Sequence, residues 1–213
     1  HLETLQMKRS ELTEDERGEY LQVAVRQSRR IGLLVEQLLE AAKLDAGQVT
    51  MNVENFPIGE LLQDVVQKFA LAARDCGVAL EVDAMAAATM VSGDIALLER
   101  VLDNLIDNAL RHTPIGGRVT VQSQPRGERV RVSVTDSGPG LTREEAERAF
   151  KRFYRGDPGR STHSGQSGLG LAIVKSILEL HGSDVAVESQ PGHGASFYFE
   201  LPIVTQPPRT APT

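Results

Sequence analysis

Several features are scarce in this chain of 213 residues, and each scarcity excludes a class of protein. Cys76 is the only cysteine, so the chain can form no intramolecular disulfide and no cysteine-based zinc site. No apolar run approaches the roughly 20 residues that a membrane-spanning helix needs. Residues 1–12 lack the charged start and apolar core of a signal peptide. We therefore expect a soluble protein of a reducing compartment, the cytoplasm.

Positive charge is also in deficit. The chain has 29 acidic and 23 basic side chains, which gives a formal net charge of -6. Such a chain has no overall field to attract DNA or RNA, so we expect no nucleic-acid partner, and any phosphate-bearing ligand must be held by local groups. Hydrophobic residues make up 40% of the chain, which predicts a packed fold rather than a disordered one.

A long helix is predicted near the start of the chain. Thr13 and Glu16 have the spacing of a capping box, and Gly47 is a helix stop. Between them, positions typical of a coiled-coil or bundle seam recur at alternating steps of four and three: Leu21, Val25, Ser28, Gly32, Val35, Leu39 and Ala42. Residues 1–12 have the composition of a helix end, so residues 1–47 are predicted to form a hairpin that pairs with a second copy in a four-helix bundle. An ordinary long core helix is the alternative.

Beyond Gly47, strands and helices alternate, which indicates a second domain over residues 48–203. The predicted strands are 49–53, 78–82, 119–123, 130–135, 184–190 and 195–201, and the predicted helices are 57–75, 95–112 and 169–181. This order predicts an α+β fold, built as a two-layer sandwich. The proline-rich tail, residues 204–213, is predicted to be disordered.

The predicted helix 95–112 carries Asn104, Asn108 and Arg111 at spacings of four and three, apart from its apolar stripe. Asparagine in the middle of a helix lowers helix propensity. A ligand at this face is therefore one explanation of the pair, and an ordinary solvated face is the other. Amide oxygens suit a hard cation such as Mg²⁺, which keeps most of its waters and shares phosphate oxygens with the protein.

An aspartate and two glycines follow the predicted strand 130–135. Asp136 opens the loop 136–141, in which Gly138 and Gly140 allow the backbone to approach a flat ligand closely. The aspartate could accept a hydrogen bond from an exocyclic amine, which a base-reading pocket requires. A tight turn capped by an aspartate is the alternative interpretation.

A second glycine-rich segment, residues 165–171, runs directly into the predicted helix 169–181. Exposed backbone amides and the helix dipole at such a start favour an anion. The segment lacks the spacing of a dinucleotide fingerprint and the Gly-Lys-Ser/Thr ending of a Walker loop, so by itself it is weak evidence for a phosphate site.

Taken together and in this order, these segments closely resemble the nucleotide-binding boxes of sensor histidine kinases of two-component systems, within the wider ATPase superfamily that includes gyrase and MutL. Residues 104–113 resemble the asparagine box, 136–141 the first glycine box, 150–155 the phenylalanine box, 165–171 the second glycine box and 192–197 the terminal glycine turn. The resemblance covers nearly the whole chain up to about Pro202.

The resemblance implies a Bergerat-type (GHKL) ATP-binding fold and the ligands ATP and Mg²⁺. By position, Asn108 and Asn104 would bind the metal, Asp136 the adenine amine, and Arg111 and Arg155 the phosphates. Arg155 is the one candidate catalytic side chain. The remaining nucleotide-binding residues implied by the resemblance are His112, Gly138, Gly140, Leu141, Tyr154, Gly165, Ser167, Gly168, Leu169 and Gly170. Residues 156–164 would form a mobile lid over ATP, with Gly168 and Gly170 as its hinge.

The same resemblance implies a reaction. Hydrolytic members of the superfamily have a glutamate base at the position of Asn104, and an amide cannot act as a general base, so we expect phosphoryl transfer rather than hydrolysis. His1 lacks the acidic and proline neighbours of the family's phosphate-accepting histidine, which is therefore expected upstream of this chain. The expected partners are a second copy and a response-regulator receiver domain, and the parent protein is expected at the inner membrane.

Two alternative functions remain open from the sequence. The chain could be a regulatory module that binds ATP without phosphoryl transfer, or a serine-directed kinase of the same superfamily, such as an anti-sigma factor. The long helix before Gly47 argues against the second.

Overall fold

The structure is a computed structural model that describes residues 13–154 and 168–204. The helices are α1 (Glu14–Asp45), α2 (Ile58–Asp75), α3 (Ile95–His112), α4 (Arg143–Arg148) and α5 (Gly170–Leu180). The strands are β1 (Glu54–Pro57), β2 (Ala79–Ala84), β3 (Met90–Gly93), β4 (Arg118–Arg126), β5 (Arg129–Asp136), β6 (Val185–Ser189) and β7 (Ala195–Pro202).

Five strands form one sheet in the order β2-β4-β5-β7-β6, in which β2 runs parallel to β4 and the other neighbours are antiparallel. Alternate residues of β4, β5 and β7 are buried, because only one face of the sheet is covered by helices. Helices α2, α3 and α5 supply that cover, and α3 buries Leu98, Leu102 and Leu105 almost completely. The predicted α+β two-layer sandwich is confirmed.

Helix α1 begins and ends as the sequence predicts. The Glu16 backbone N–H donates to Thr13 Oγ1 (3.3 Å), and the Thr13 N–H donates to Glu16 Oε2 (2.8 Å), which completes the capping box. At the other end Ala46 is the C-cap, and Gly47 has a positive φ of 63°. Residues 1–12, the first arm of the predicted hairpin, lie outside the described residues.

The last turns of α1 pack against the helical layer that covers the sheet. Ala41 and Leu44 are buried in the common core, where α1 contacts α5. The Arg100 guanidinium makes two hydrogen bonds to the Glu40 carboxylate, from Nε (3.1 Å) and from Nη2 (2.8 Å). Arg152 pairs with Asp45 at the end of the helix. Much of the rest of α1 leaves its large apolar side chains exposed.

The predicted strand 49–53 is wrong. The strand is β1, residues 54–57, and it pairs antiparallel with β3, which the sequence did not predict. Burial explains the shift, since Phe56 lies opposite Val91 in the core whereas Val53 is exposed. The Asn52 N–H instead donates to the Asp94 carboxylate (2.8 Å).

Two further differences concern the turn between β4 and β5 and a short helix. The predicted strands 119–123 and 130–135 are longer than expected, since β4 and β5 continue to Arg126 and Arg129 and leave a turn of two residues. Gly127 is the first residue of this turn and has a φ of 62°, a positive value that two-residue hairpin turns require and that glycine adopts readily. The short helix α4 was not predicted, although Thr142 and Glu145 form a second capping box before it.

The predicted lid, residues 156–164, and most of the tail lie outside the described residues. Within the ranges 13–154 and 168–204, no helix has the combination of length and apolar character needed to cross a membrane.

Candidate functional site

Three elements converge at one end of the sheet: the second half of α3, the loop 136–141 after β5, and the start of α5. At two of the contacts between these elements, the glycine has no room for a Cβ atom. A Cβ added at Gly138 would lie 2.6 Å from the carbonyl oxygen of His112, at the end of α3. A Cβ added at Gly170 would lie 2.8 Å from Asn104 Oδ1. The structure therefore brings together the residues that the sequence singled out in three separate segments.

Asp136 is a buried carboxylate at the end of β5, with 6% of its surface exposed. Its Oδ1 accepts a hydrogen bond from the Gly138 N–H (2.8 Å). Burial raises the pKa of Asp136 above the ordinary aspartate value, while the N–H groups of Gly138 and Ala195 and the charge of His112 act in the opposite direction. A buried carboxylate with few partners is a directional acceptor that can read an amine.

Asn104 is oriented by its own helix. Its Nδ2 donates to the Arg100 carbonyl oxygen (2.8 Å), which leaves Oδ1 directed at the start of α5. Asn108 lies one turn further on and is half-buried. These two amide oxygens fit Mg²⁺ if ATP phosphates and waters complete the coordination. Among the residues that the structure describes, no cluster of three histidine, cysteine or carboxylate side chains could hold a metal by itself.

Arg111 forms an exposed ion pair with Asp107, one turn earlier on α3 (Nε to Oδ2, 2.8 Å). The pair uses only Nε of the guanidinium, so the predicted phosphate contact of Arg111 could use the terminal nitrogens. Arg155, Gly165 and Ser167 lie outside the described residues, so their predicted roles stay predictions.

Phe153 and Gly168, on either side of the segment 155–167, are hydrogen-bonded to each other. The Phe153 N–H donates to the Gly168 carbonyl oxygen (2.8 Å), and both residues have positive φ, 58° and 69°. A Cβ at Gly168 would lie 2.8 Å from Phe153 backbone atoms, so glycine is required there. Tyr154 lies beneath the Arg148 guanidinium, 5.0 Å from the ring centroid, and Leu169 is buried.

Sequence reasoning missed the support behind Asp136. The Ser189 hydroxyl accepts from the Leu141 N–H (2.7 Å) and donates to the Gly194 carbonyl oxygen (2.7 Å). Gly194 itself approaches the Asp136 backbone so closely that a Cβ would lie 1.9 Å from its oxygen. The terminal glycine turn was recognised in the sequence, but its contact with the loop 136–141 depends on strand pairing that no local pattern reveals.

His181 caps the end of α5. Its Nδ1 lies 2.8 Å from the Ile177 carbonyl oxygen, and its Nε2 accepts from the Asp94 N–H (3.0 Å). The ring therefore carries its proton on Nδ1 and joins the end of α5 to the start of α3. His181 is a structural residue.

A second depression, of about 400 Å³, lies away from these residues. It is an open surface concavity between the start of α2 and the segment 85–90, lined by Pro57, Gly59, Glu60, Gln63, Ala87, Ala88 and Met90. With Glu60 as its one charged lining residue, it lacks the convergent polar groups of a nucleotide site.

The comparisons with known proteins agree with this geometry. Residues 93–205 match the family described as histidine kinase-, DNA gyrase B- and HSP90-like ATPase. The chain is 34% identical over 180 residues to the sensor-like histidine kinase SenX3 of Mycobacterium tuberculosis, an alignment that covers 84% of this chain and 44% of SenX3. The chain thus spans less than half the length of that relative.

Solved structures show the same relationship. The catalytic domain of the histidine kinase ThkA superposes with a TM-score of 0.63 and 30% identity over 71% of this chain and 96% of that domain. Full-length ShkA in complex with AMPPNP superposes with a TM-score of 0.76 and 29% identity, over 93% of this chain and 41% of ShkA. The chain belongs to the histidine kinase-, DNA gyrase B- and HSP90-like ATPase family, in its sensor histidine kinase branch.

Proposed function

We propose that the chain is the catalytic region of a sensor histidine kinase, which binds Mg-ATP and transfers the γ-phosphate to a histidine on an upstream dimerisation helix. The single observation that carries this proposal is the buried Asp136 carboxylate, enclosed by the end of α3, its own glycine loop and β7. That position suits the exocyclic amine of adenine, whose hydrogen bond needs an acceptor in a water-poor pocket.

The phosphates and the metal would lie toward α5. Asn104 Oδ1 faces the first turn of α5, so the triphosphate would meet the backbone N–H groups of that turn, while the amide oxygens would hold Mg²⁺. We assign Asn104 and Asn108 to the metal, and Arg111 and Arg155 to the phosphates. Bound magnesium supplies charge neutralisation of the transferring phosphoryl group.

Asn104 also favours phosphoryl transfer over hydrolysis of ATP. The Asn104 amide has no basic atom to take a proton from water, and its Nδ2 is already bonded to Arg100. The nucleophile would therefore be a side chain on another helix. The site would position the reacting groups and stabilise the developing charge.

The partners follow from the relatives. ThkA has been solved in complex with the response regulator TrrA, and that ThkA structure superposes on 94% of this chain with 25% identity and a TM-score of 0.75. We infer that a receiver domain accepts the phosphate and that α1, whose seam is exposed, pairs with α1 of a second copy. Residues 1–47 would belong to this dimerisation region, 48–203 to the catalytic domain, and the reaction would take place in the cytoplasm.

A trans-phosphorylation experiment tests the proposal. The chain is incubated with Mg-ATP labelled at the γ-phosphate and with a separate helical domain that carries an acceptor histidine. We expect label on the acceptor that is lost in acid and survives in alkali, as phosphohistidine requires. Normal ATP binding without transfer would indicate the regulatory module instead, and acid-stable label would indicate the serine-directed kinase. The Asp136→Asn variant is the control, because any transfer that it retains does not depend on this pocket.

A further inference from the structure

The sheet places four residues of different strands in one row beneath the candidate site. Ser189 of β6 lies opposite Ala195 of β7, which lies opposite Asp136 of β5, which lies opposite Val119 of β4. Directly opposed residues project from the same face of a sheet, so Ser189 and Asp136 both point toward the helical layer.

The Ser189 hydroxyl joins two backbone segments that meet above this row. It accepts from the N–H of Leu141, the last residue of the loop that Asp136 opens, and it donates to the Gly194 carbonyl oxygen, both at 2.7 Å. One hydroxyl thus uses its donor and an acceptor position to hold the loop 136–141 against the turn 190–194.

The backbone packs closely around this link and adds a second hydrogen bond between the same loop and turn. The Gly192 N–H donates to the Pro139 carbonyl oxygen (2.7 Å), and a Cβ at Gly140 would lie 2.2 Å from the Gln190 carbonyl oxygen. On the other side of the loop, the Arg118 N–H donates to Ser137 Oγ (2.9 Å). The loop is therefore held on both sides, and Ser189 is the side chain that holds its far end.

We propose that Ser189 is a positioning residue for adenine recognition: it fixes the loop that carries Asp136 and thereby sets the direction of the Asp136 carboxylate. This inference rests on the proposed function, because it assigns the base-reading role to Asp136. The Ser189 hydroxyl acts through the backbone groups of Leu141 and Gly194 to which it is hydrogen-bonded.

Three variants of the full chain separate positioning from stability. Ser189→Ala removes both hydrogen bonds, and Ser189→Thr keeps the hydroxyl on a residue that suits a strand. The matched control is Ser183→Ala, since the Ser183 hydroxyl also makes a 2.7 Å hydrogen bond to a backbone carbonyl, that of Glu200, at the opposite end of β7. Each variant is assayed for the affinity of Mg-ATP and of Mg-GTP by calorimetry, and for its melting temperature.

We expect Ser189→Ala to weaken ATP binding roughly 3- to 10-fold, with a smaller change for GTP, so that the preference for adenine falls. We expect Ser189→Thr to retain the preference for ATP over GTP. We expect Ser183→Ala to lower the melting temperature and to leave that preference unchanged. Unchanged discrimination in Ser189→Ala, or an equal loss in Ser183→Ala, would overturn the assignment.

A second measurement needs no nucleotide. Amide hydrogen exchange at residue 141 is expected to be faster in Ser189→Ala than in the unmodified chain and in Ser183→Ala, because the N–H loses its acceptor. Unchanged exchange there would reject the positioning role even if ATP binds. Absence of ATP binding by the unmodified chain would reject the proposed function and with it the adenine role of Ser189, whereas the exchange result would still show whether Ser189 holds the loop.

Discussion

At the residue scale, Asp136 is the side chain to which we assign base reading, and its replacement by asparagine isolates the effect of the charge. The asparagine Oδ1 can still accept the Gly138 N–H, so the fold is expected to persist. A hydrogen bond to a charged group contributes about 1.5–3 kcal/mol, which corresponds to a roughly 10- to 100-fold weaker affinity for Mg-ATP. Calorimetry measures the affinity and circular dichroism the fold. Unchanged affinity in a folded Asp136→Asn protein would remove the assignment.

The raised pKa of Asp136 has a consequence for ligand binding. As the pH falls, this carboxylate takes up a proton at a higher pH than an ordinary aspartate, because burial disfavours its charge. We expect ATP affinity to fall over that range. The ATP phosphates titrate as well, so the quantity to measure is the difference between the pH profiles of the unmodified chain and of Asp136→Asn. Parallel profiles would contradict the prediction.

The same shift affects stability with the opposite sign. The folded state holds the Asp136 proton to a higher pH than the unfolded state, so the contribution of this group to the free energy of unfolding is greatest at low pH and falls as the pH rises from the unfolded pKa through the raised folded pKa. Asp136→Asn is therefore expected to be at least as stable as the unmodified chain near neutral pH without nucleotide. Thermal melts from pH 4 to pH 8 test this, and a large loss at pH 8 would contradict it.

At the element scale, the contact between α3 and α5 depends on the absence of a side chain at Gly170. Gly170→Ala favours helix formation, but its Cβ would displace the Asn104 amide, which lies 2.8 Å away. We expect an unchanged or higher melting temperature together with weaker binding of Mg-ATP. The control is Gly18→Ala in α1, where a Cβ would meet no atom within 4 Å. Binding retained in Gly170→Ala would show that the position of Asn104 is not critical.

At the scale of the whole molecule, α1 leaves a row of large apolar side chains uncovered within the described residues. Leu21, Val25, Val35 and Leu39 of the predicted seam are each about half exposed. Exposed apolar side chains along one face of a helix are typical of an interface. We expect the chain to self-associate with increasing concentration and the double substitution Leu21→Glu with Val25→Glu to prevent it.

Sedimentation velocity over a range of concentrations measures this association. Leu21 lies about 30 Å along the helix axis from Ala41, where α1 enters the core, so ATP affinity should be the same in both proteins. A strict monomer at high concentration for the unmodified chain would argue against the dimer.

Much of this protein follows from its sequence alone. Helix α3 has the predicted bounds, because an uninterrupted apolar period and a change of composition at both ends are local signals. The capping box of Thr13 and Glu16 defines the start of α1 in the same way. The residues of the three candidate nucleotide-binding segments could be named without coordinates, because their order and separations resemble the boxes of sensor histidine kinases.

The tertiary structure alone decided how those segments meet. The pairing of β1 with β3 joins residues nearly 40 positions apart, and no local pattern indicates it. Likewise, the Ser189 hydroxyl reaches Leu141, 48 positions earlier, only because β6, β7 and β5 lie side by side. Local periodicity determines which elements form, whereas packing among distant residues determines which carboxylate is buried and which backbone holds it.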